Sequence, residues 1–162
     1  MLLYIGLVSF FSILFIIMSN QAWFEPISNR VLSGYAWISS AILNLLGQQT
    51  DVDGQSIAGQ GFSISIRKGC DALAPMILYL FSIAFFNTDL KHKMKGLLIG
   101  LPVLAVINII RICTLYLIGK YSTQTIFDIM HVDVWQIFFI VLTLVIWVQW
   151  LKKTQKIPNA QA

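Results

Sequence analysis

Three residues of this chain could together carry nucleophilic chemistry: Cys70, Arg111 and His131. Cys70 lies in the segment RKGCDALAP, where a short alternating stretch becomes an apolar helix. The partial positive charge of a helix N-terminus and the nearby Arg67 favour the thiolate, which is the nucleophilic form of cysteine. Asp71 could cap this helix or accept a hydrogen bond from Arg67 or Arg111. A small apolar residue at a helix start is the plainer interpretation of Cys70, and the local context leaves both open.

Arg111 stands inside the apolar run VINIIRI. A central arginine costs about 2.5–3.5 kcal/mol even on the most forgiving membrane-insertion scale. Snorkelling is the alternative explanation, but eight residues separate Arg111 from Gly119, which is roughly 12 Å of helix and a long reach. Asn108 lies three residues earlier on the same helix face. We therefore expect Arg111 to face a protein interior or a wet cavity, where it could bind a carbonyl, a carboxylate or a developing oxyanion.

His131 precedes the last apolar run, and its titration range suits a general base or acid. Asp128 or Asp133 could orient its ring. Alone, it would be interpreted as an ordinary interfacial histidine. With Cys70 and Arg111, however, it completes a set that could attack a carbonyl and form a thioester. We expect the three side chains to converge on one cavity.

The two cysteines, Cys70 and Cys113, form no C-x-x-C motif and no zinc-ligand spacing, and only His92 and His131 could assist them. No metal and no cofactor are therefore predicted. Cys113 is two residues after Arg111 and turns to another helix face, which favours core packing. A thiol redox pair of the two cysteines stays an alternative, and it requires Cα atoms within about 7 Å.

The composition indicates a membrane protein. Of 162 residues, 57% are hydrophobic and only 11% are charged, whereas soluble domains carry roughly a quarter charged residues. The net charge of +4 comes from lysines at the ends of apolar runs and not from a basic stripe. Nucleic acid is therefore excluded as a partner, and the lipid bilayer is the expected surroundings.

We predict an all-α integral membrane protein of one domain, residues 1–162, with four or five transmembrane helices. The predicted spans cover residues 2–18, 73–86, 97–119 and 134–151, with polar loops at 87–96 and 120–133. The helix predicted at 30–46 is only weakly apolar, because polar residues interrupt it. It lies in the interface plane or crosses the membrane, and the interfacial interpretation is favoured. The polar segment 48–69 contains turn signals and an alternating stretch, which predict a small hairpin or flap on the outer surface.

Lysines set the predicted orientation. The loop that contains Lys91–Lys95 and the tail with Lys152, Lys153 and Lys156 should face the cytoplasm. By alternation, Cys70 and His131 then share the outer face. If the helix 30–46 is interfacial, the N-terminus is cytoplasmic; if it spans, the N-terminus is outside, and Cys70 and His131 share the outer face in both cases.

These positions resemble the signature of the exosortase/archaeosortase family. Its members carry a cysteine at the start of a span, Asn-x-x-Arg in a later span and a histidine before the last span. The matching residues are Cys70, Asn108 with Arg111, and His131, and the resemblance covers roughly residues 30–151. Many members read Cys-Ser-Gly or Cys-Asn-Gly after the nucleophile, whereas this chain reads Cys-Asp-Ala and is short for the family.

The resemblance implies a cysteine protease and transpeptidase in the cytoplasmic membrane of a bacterium or archaeon, with its site at the extracytoplasmic face. Its substrates would be exported proteins that end in a short motif, a membrane helix and a basic cluster. Cys70 would form an acyl-enzyme and pass the acyl group to a surface acceptor. His131 would act as base and acid, and Arg111 would bind the reacting carbonyl. The alternative is a non-catalytic membrane assembly protein in which Arg111 pairs with a partner's carboxylate.

Overall fold

The structure, a computed structural model, describes residues 2–155, so Lys156 of the predicted cytoplasmic tail lies outside the described residues. The described chain is mostly helical, with a 3-10 turn at Ala22–Phe24 and a π-helical segment at Ile129–Val134. Its α-helices and strands are α1 (Leu2–Ser19), α2 (Glu25–Leu45), β1 (Asp51–Asp53), β2 (Ser56–Gly59), β3 (Phe62–Ser65), α3 (Leu73–Ala84), α4 (Leu90–Tyr121), α5 (Gln124–Asp128) and α6 (Trp135–Gln155).

Within residues 2–155, three helical stretches are long and apolar enough to cross a membrane. They are α1, α4 and the continuous stretch Gln124–Thr154, which joins α5, the π-helical segment and α6. The predicted span 73–86 forms the helix α3, but its 12 residues cover only about 18 Å, less than the roughly 30 Å of hydrocarbon. The number of four or five spans therefore stays a prediction.

One hydrophobic cluster joins α3, the first half of α4 and α6. Its buried members include Tyr79, Ile83, Leu104, Phe139 and Trp150. The outward faces of α1 and α6 also carry many exposed large apolar side chains. Helices that are apolar on the outside as well as the inside are expected in lipid, where no polar face is needed.

A second cluster joins α2, the sheet and the second half of α4, through Leu32, Leu43, Ile57, Ile112 and Tyr116. The sheet is antiparallel in the order β1-β2-β3, so it has three strands where a hairpin or flap is predicted. The helix predicted at 30–46 spans Glu25–Leu45, and it is long enough but not apolar enough to count as a membrane span. It packs on both the sheet and α4, and whether it lies in the interface plane or crosses the membrane stays a prediction.

Hydrogen bonds define the two ends of the helix bundle. Tyr4 near the start of α1 donates to the carbonyl oxygen of Ser82 near the end of α3, at 2.7 Å. Trp150 near the end of α6 donates to the carbonyl oxygen of His92 near the start of α4, at 3.0 Å. Lys68, beside Cys70 in the chain, donates to the last residue of α1 at 3.5 Å. The lysine segments therefore group at one end and Cys70 lies at the other; which end faces the cytoplasm stays a prediction.

Both predicted loops are largely helical, with non-helical residues only at 87–89 and 122–123, so their prediction as loops was mostly wrong. The lysines at 91–95 lie on the first turns of α4, which has 32 residues and extends well beyond the predicted span 97–119. Residues 124–134 form α5 and the π-helical segment and lead directly into α6. Hydropathy detects only the apolar part of a helix, whereas lysine and leucine are good helix formers that continue the backbone ladder past the apolar boundary.

Candidate active site

A tight backbone turn between β3 and α3 presents Cys70. Gly69 has a φ of +93° and Ala72 a φ of +53°, so both flanks of this segment use the left-handed region. The amide of Cys70 donates to the carbonyl oxygen of Arg67 at 2.9 Å and closes the turn. Glycine adopts this conformation freely, so Gly69 allows the chain to turn sharply just before Cys70. Ala72 occupies the position where many members of the resembled family carry glycine, and its Cβ makes the conformation costly, by about 1–2 kcal/mol.

His131 lies on the π-helical segment, where the chain widens by one residue per turn: the amide of Trp135 donates to the carbonyl oxygen of Met130. The ring of Phe127 stacks on the imidazole with centroids 5.6 Å apart and 27° between planes. The Nε2 atom of His131 is 3.0 Å from the Sγ atom of Cys70, although 61 residues separate them in the chain. A thiol and an imidazole are thus within hydrogen-bonding distance, which is the geometry that proton transfer between them would need.

Arg111 lies inside the protein and not at the lipid surface, with only 7% of its surface exposed. Its Nη2 atom donates to the carbonyl oxygen of His131 at 3.4 Å, and its guanidinium lies 5.7 Å from the centre of the Phe139 ring. Its Nε atom is buried and has no hydrogen-bond partner among residues 2–155. The side chain is therefore anchored to the histidine backbone and retains donors for a further oxygen.

Cys70, Arg111 and His131 line one cavity of about 360 Å³. Its lining comes from the whole of β3, from α4, and from α5 with the π-helical segment. Arg67 is exposed at the rim and makes no ion pair in the described part of the chain. The remaining lining residues are Phe62, Ser63, Ile64, Ser65, Ile66, Ile112, Leu115, Gln124 and Phe127. The predicted convergence of the three side chains is thus present, while their catalytic roles stay predictions.

Asn108 is fully buried one helical turn before Arg111, and neither of its side-chain amide atoms has a partner within residues 2–155. It does not line the cavity. On the side of α2, Tyr35 lies near Asn108 and Asp71; burial first, and then the charge of Asp71, raises the pKa of the Tyr35 hydroxyl. That hydroxyl is therefore protonated at neutral pH and can donate to a neighbouring polar group.

Asp71 lies just before α3 and hydrogen-bonds to its first residue. Its Oδ1 atom accepts from the amide of Leu73 at 3.2 Å, and it forms no ion pair with Arg67 or Arg111 in the described structure. It is only 5% exposed and faces a neighbouring cavity of about 280 Å³, together with Lys68. Of the interactions left open by the sequence, the structure contains a hydrogen bond to the first residue of α3, although the N-cap position itself is Ala72.

Asp128 does not hydrogen-bond to His131; its Oδ1 atom accepts from the Gln124 side chain at 2.9 Å instead. Asp133 is exposed and makes no side-chain hydrogen bond within the described range. The contact that fixes the imidazole plane is the stack with Phe127, which the sequence analysis missed. The spacing of four residues between Phe127 and His131 places both on one helix face and could have indicated it.

The second cysteine lies in the core. Cys113 is buried and donates to the carbonyl oxygen of Ser39 on α2 at 3.7 Å, whereas Cys70 contacts His131. Both thiols are free. Among residues 2–155, no group of three or more His, Cys, Asp or Glu side chains is placed to hold a metal ion.

Comparison with known proteins identifies the family of the chain. A family model described as transmembrane exosortase matches residues 3–152 of the 162-residue chain. No curated protein and no solved structure matches it. The match covers the helices, the sheet and every residue that lines the cavity. With three membrane-crossing stretches among its described residues, the chain is a multi-pass membrane protein that belongs to the transmembrane exosortase family.

Proposed function

We propose that this protein is a membrane-embedded cysteine protease and transpeptidase that cleaves the C-terminal sorting signal of exported proteins. The observation that carries the proposal is the 3.0 Å contact between Cys70 Sγ and His131 Nε2. It lies in a cavity that also contains a buried arginine with unused donors. Membership of the transmembrane exosortase family supports the same reaction class.

The reaction would proceed in two steps. His131 takes the thiol proton of Cys70, and the sulfur attacks the substrate carbonyl, whose oxygen becomes negative and is stabilised by the Arg111 guanidinium. The C–N bond then breaks, the histidine proton goes to the leaving amine, and a thioester of Cys70 remains. An acceptor nucleophile, or water, then attacks the thioester and loses its proton to His131, the C–S bond breaks, and the Cys70 thiolate takes that proton back from His131.

The position of the cavity suits a substrate that is itself anchored in the membrane. The cavity lies at the end of the bundle opposite the lysine-rich segments. A substrate whose basic tail stays on the lysine side, as the positive-inside rule requires, would cross beside this protein. The residues that precede its membrane helix would then emerge at the level of Cys70.

Co-expression with a reporter tests the proposal. The reporter ends in a short motif, an apolar helix and a basic cluster taken from a protein encoded in the same genome. We expect wild type to remove the tail and the Cys70→Ala variant to leave it, as measured by the mass of the purified reporter. Cys113→Ser is the matched control: it removes the other thiol, outside the cavity, and should leave processing intact.

Each alternative gives a different result. Equal processing by wild type and Cys70→Ala would remove Cys70 as the nucleophile and favour a non-catalytic assembly role. Loss of activity in Cys113→Ser, with the protein still folded, would favour the two-thiol redox alternative.

A further inference from the structure

The sheet presents an unpaired strand edge to the cavity. In the order β1-β2-β3, β3 pairs on one side with β2 and has no strand on its other side within residues 2–155. All four residues of β3 line the cavity that contains Cys70. An unpaired edge can accept an added strand from another chain. This edge lies beside Cys70, so a strand added to it would pass close to the thiol.

The register identifies which backbone groups face the cavity. The amide of Ile66 donates to the carbonyl oxygen of Gln55 at 3.0 Å, in line with the pairing of β2 and β3. In an antiparallel pair, every second residue exchanges hydrogen bonds with the same neighbour, so Ile64 also bonds towards β2. The N–H and C=O groups of Ser63 and Ser65 therefore point to the free edge.

The opposite edge of the same sheet is protected. On β1 the exposed carboxylates Asp51 and Asp53 flank Val52, and the amide of Val52 already donates to the Asp51 side chain at 2.8 Å. Charged residues of this kind blunt an edge against strand addition. The β3 edge carries only the uncharged Ser63 and Ser65 in the equivalent exposed positions. The β1 edge is therefore protected by charge, and the β3 edge is not.

We propose that the substrate segment around the cleaved bond binds as an added β-strand along the free edge of β3, between that strand and α5. This inference rests on the proposed function and adds its binding mode. Ser63 and Ser65 would hold the substrate backbone, and the strand would lead it towards Cys70, five residues beyond the end of β3. At about 3.3 Å per residue, β3 gives such contacts to roughly four substrate residues.

Proline substitutions test the backbone contacts, because proline removes an N–H. We expect Ser63→Pro and Ser65→Pro each to slow reporter processing by roughly tenfold, the effect of one lost hydrogen bond at a binding surface. Val52→Pro is the matched control, since it removes an outward N–H at the protected edge of the same sheet, and it should process at the wild-type rate. Alkylation of Cys70 by iodoacetamide reports whether each variant keeps the site intact.

Photo-crosslinking gives a second measurement that does not depend on proline being tolerated. In the Cys70→Ala background, a photo-crosslinking amino acid at Ser63 should capture the reporter, and the same group at Val52 should not. Normal processing by both serine variants, or equal capture from both edges, would overturn the strand-addition proposal while leaving the protease intact. A wild-type protein that does not process the reporter would refute the proposed function itself, and the inference with it.

Discussion

At the scale of single residues, the buried arginine is the position that needs a function to explain it. Arg111 sits in an apolar helix where a charge is costly, yet 93% of its surface is covered and its Nε atom has no partner in the described structure. A buried cation with unused donors is unfavourable unless a ligand or a reaction intermediate uses them. A negatively charged oxygen formed on the substrate during attack by Cys70 would meet that need.

The Cys70–His131 contact leads to a prediction that can be tested without a substrate. We expect His131→Gln to slow iodoacetamide alkylation of Cys70 at pH 7 by about tenfold, because the base that accepts the thiol proton is lost. Mass spectrometry of the cysteine peptide measures the rate. His92→Gln, at the lysine end of the bundle, is the matched control and should not change it. An unchanged rate in the His131 variant would mean that the histidine does not activate the thiol.

At the scale of elements, α4 connects two different packing environments. Its first half packs with α3 and α6, and its second half with α2 and the sheet. Arg111 lies in the second half, next to Ile112 of the sheet-side cluster, and shares its cavity with β3 and Cys70. The site therefore forms where a membrane bundle meets a small surface sheet, and it depends on the close packing of α3 against α4.

That packing depends on Gly100. A Cβ added there would meet the ring of Tyr79, whose hydroxyl donates to the carbonyl oxygen of Gly96 at 3.0 Å. We expect Gly100→Ala to lower the free energy of unfolding by about 1–3 kcal/mol through overpacking. The thermal midpoint in detergent micelles measures this effect.

Gly34→Ala is the control for the glycine prediction. A Cβ at Gly34 meets nothing within 4 Å, so the substitution should be neutral or stabilising by up to about 1 kcal/mol, the helix preference of alanine over glycine. Equal midpoints for the two variants would show that the contact between α3 and α4 is looser than described.

At the scale of the whole molecule, the lysine-rich segments at 91–95 and 152–153 lie at the end opposite the candidate site. The lysine segments, the start of α1 and the end of α3 form one end. Cys70, the sheet and the cavity form the other. Because lysines are retained on the cytoplasmic side, this polarity predicts an extracytoplasmic site.

Labelling in intact cells tests the orientation, in a background that lacks both native cysteines. We expect a membrane-impermeant maleimide to label the Asp53→Cys variant on β1. The Asp89→Cys variant should be labelled only after permeabilisation, although the Asp89 side chain is 87% exposed. Labelling of the Asp89 variant alone in intact cells would invert the topology and place the cavity in the cytoplasm.

Much of this protein could be predicted from its sequence. The apolar runs, the lysine clusters and the alternating stretch before Cys70 are local signals, and they predicted helices, a β segment and the two polarised ends. The anomalous Arg111, with Asn108 one turn away, indicated a site because a charge in an apolar helix requires an explanation. The ordered set of cysteine, arginine and histidine led to the family that the match over residues 3–152 confirms.

Only the tertiary structure decided how these parts meet. The 3.0 Å contact of Cys70 with His131 joins residues 61 positions apart, and no periodicity encodes such a distance. The same holds for the anchoring of Arg111 to the His131 carbonyl and for the open edge of β3. Sequence patterns report which face of an element is apolar, but packing between distant elements sets which side chains touch, and the chemistry depends on those contacts.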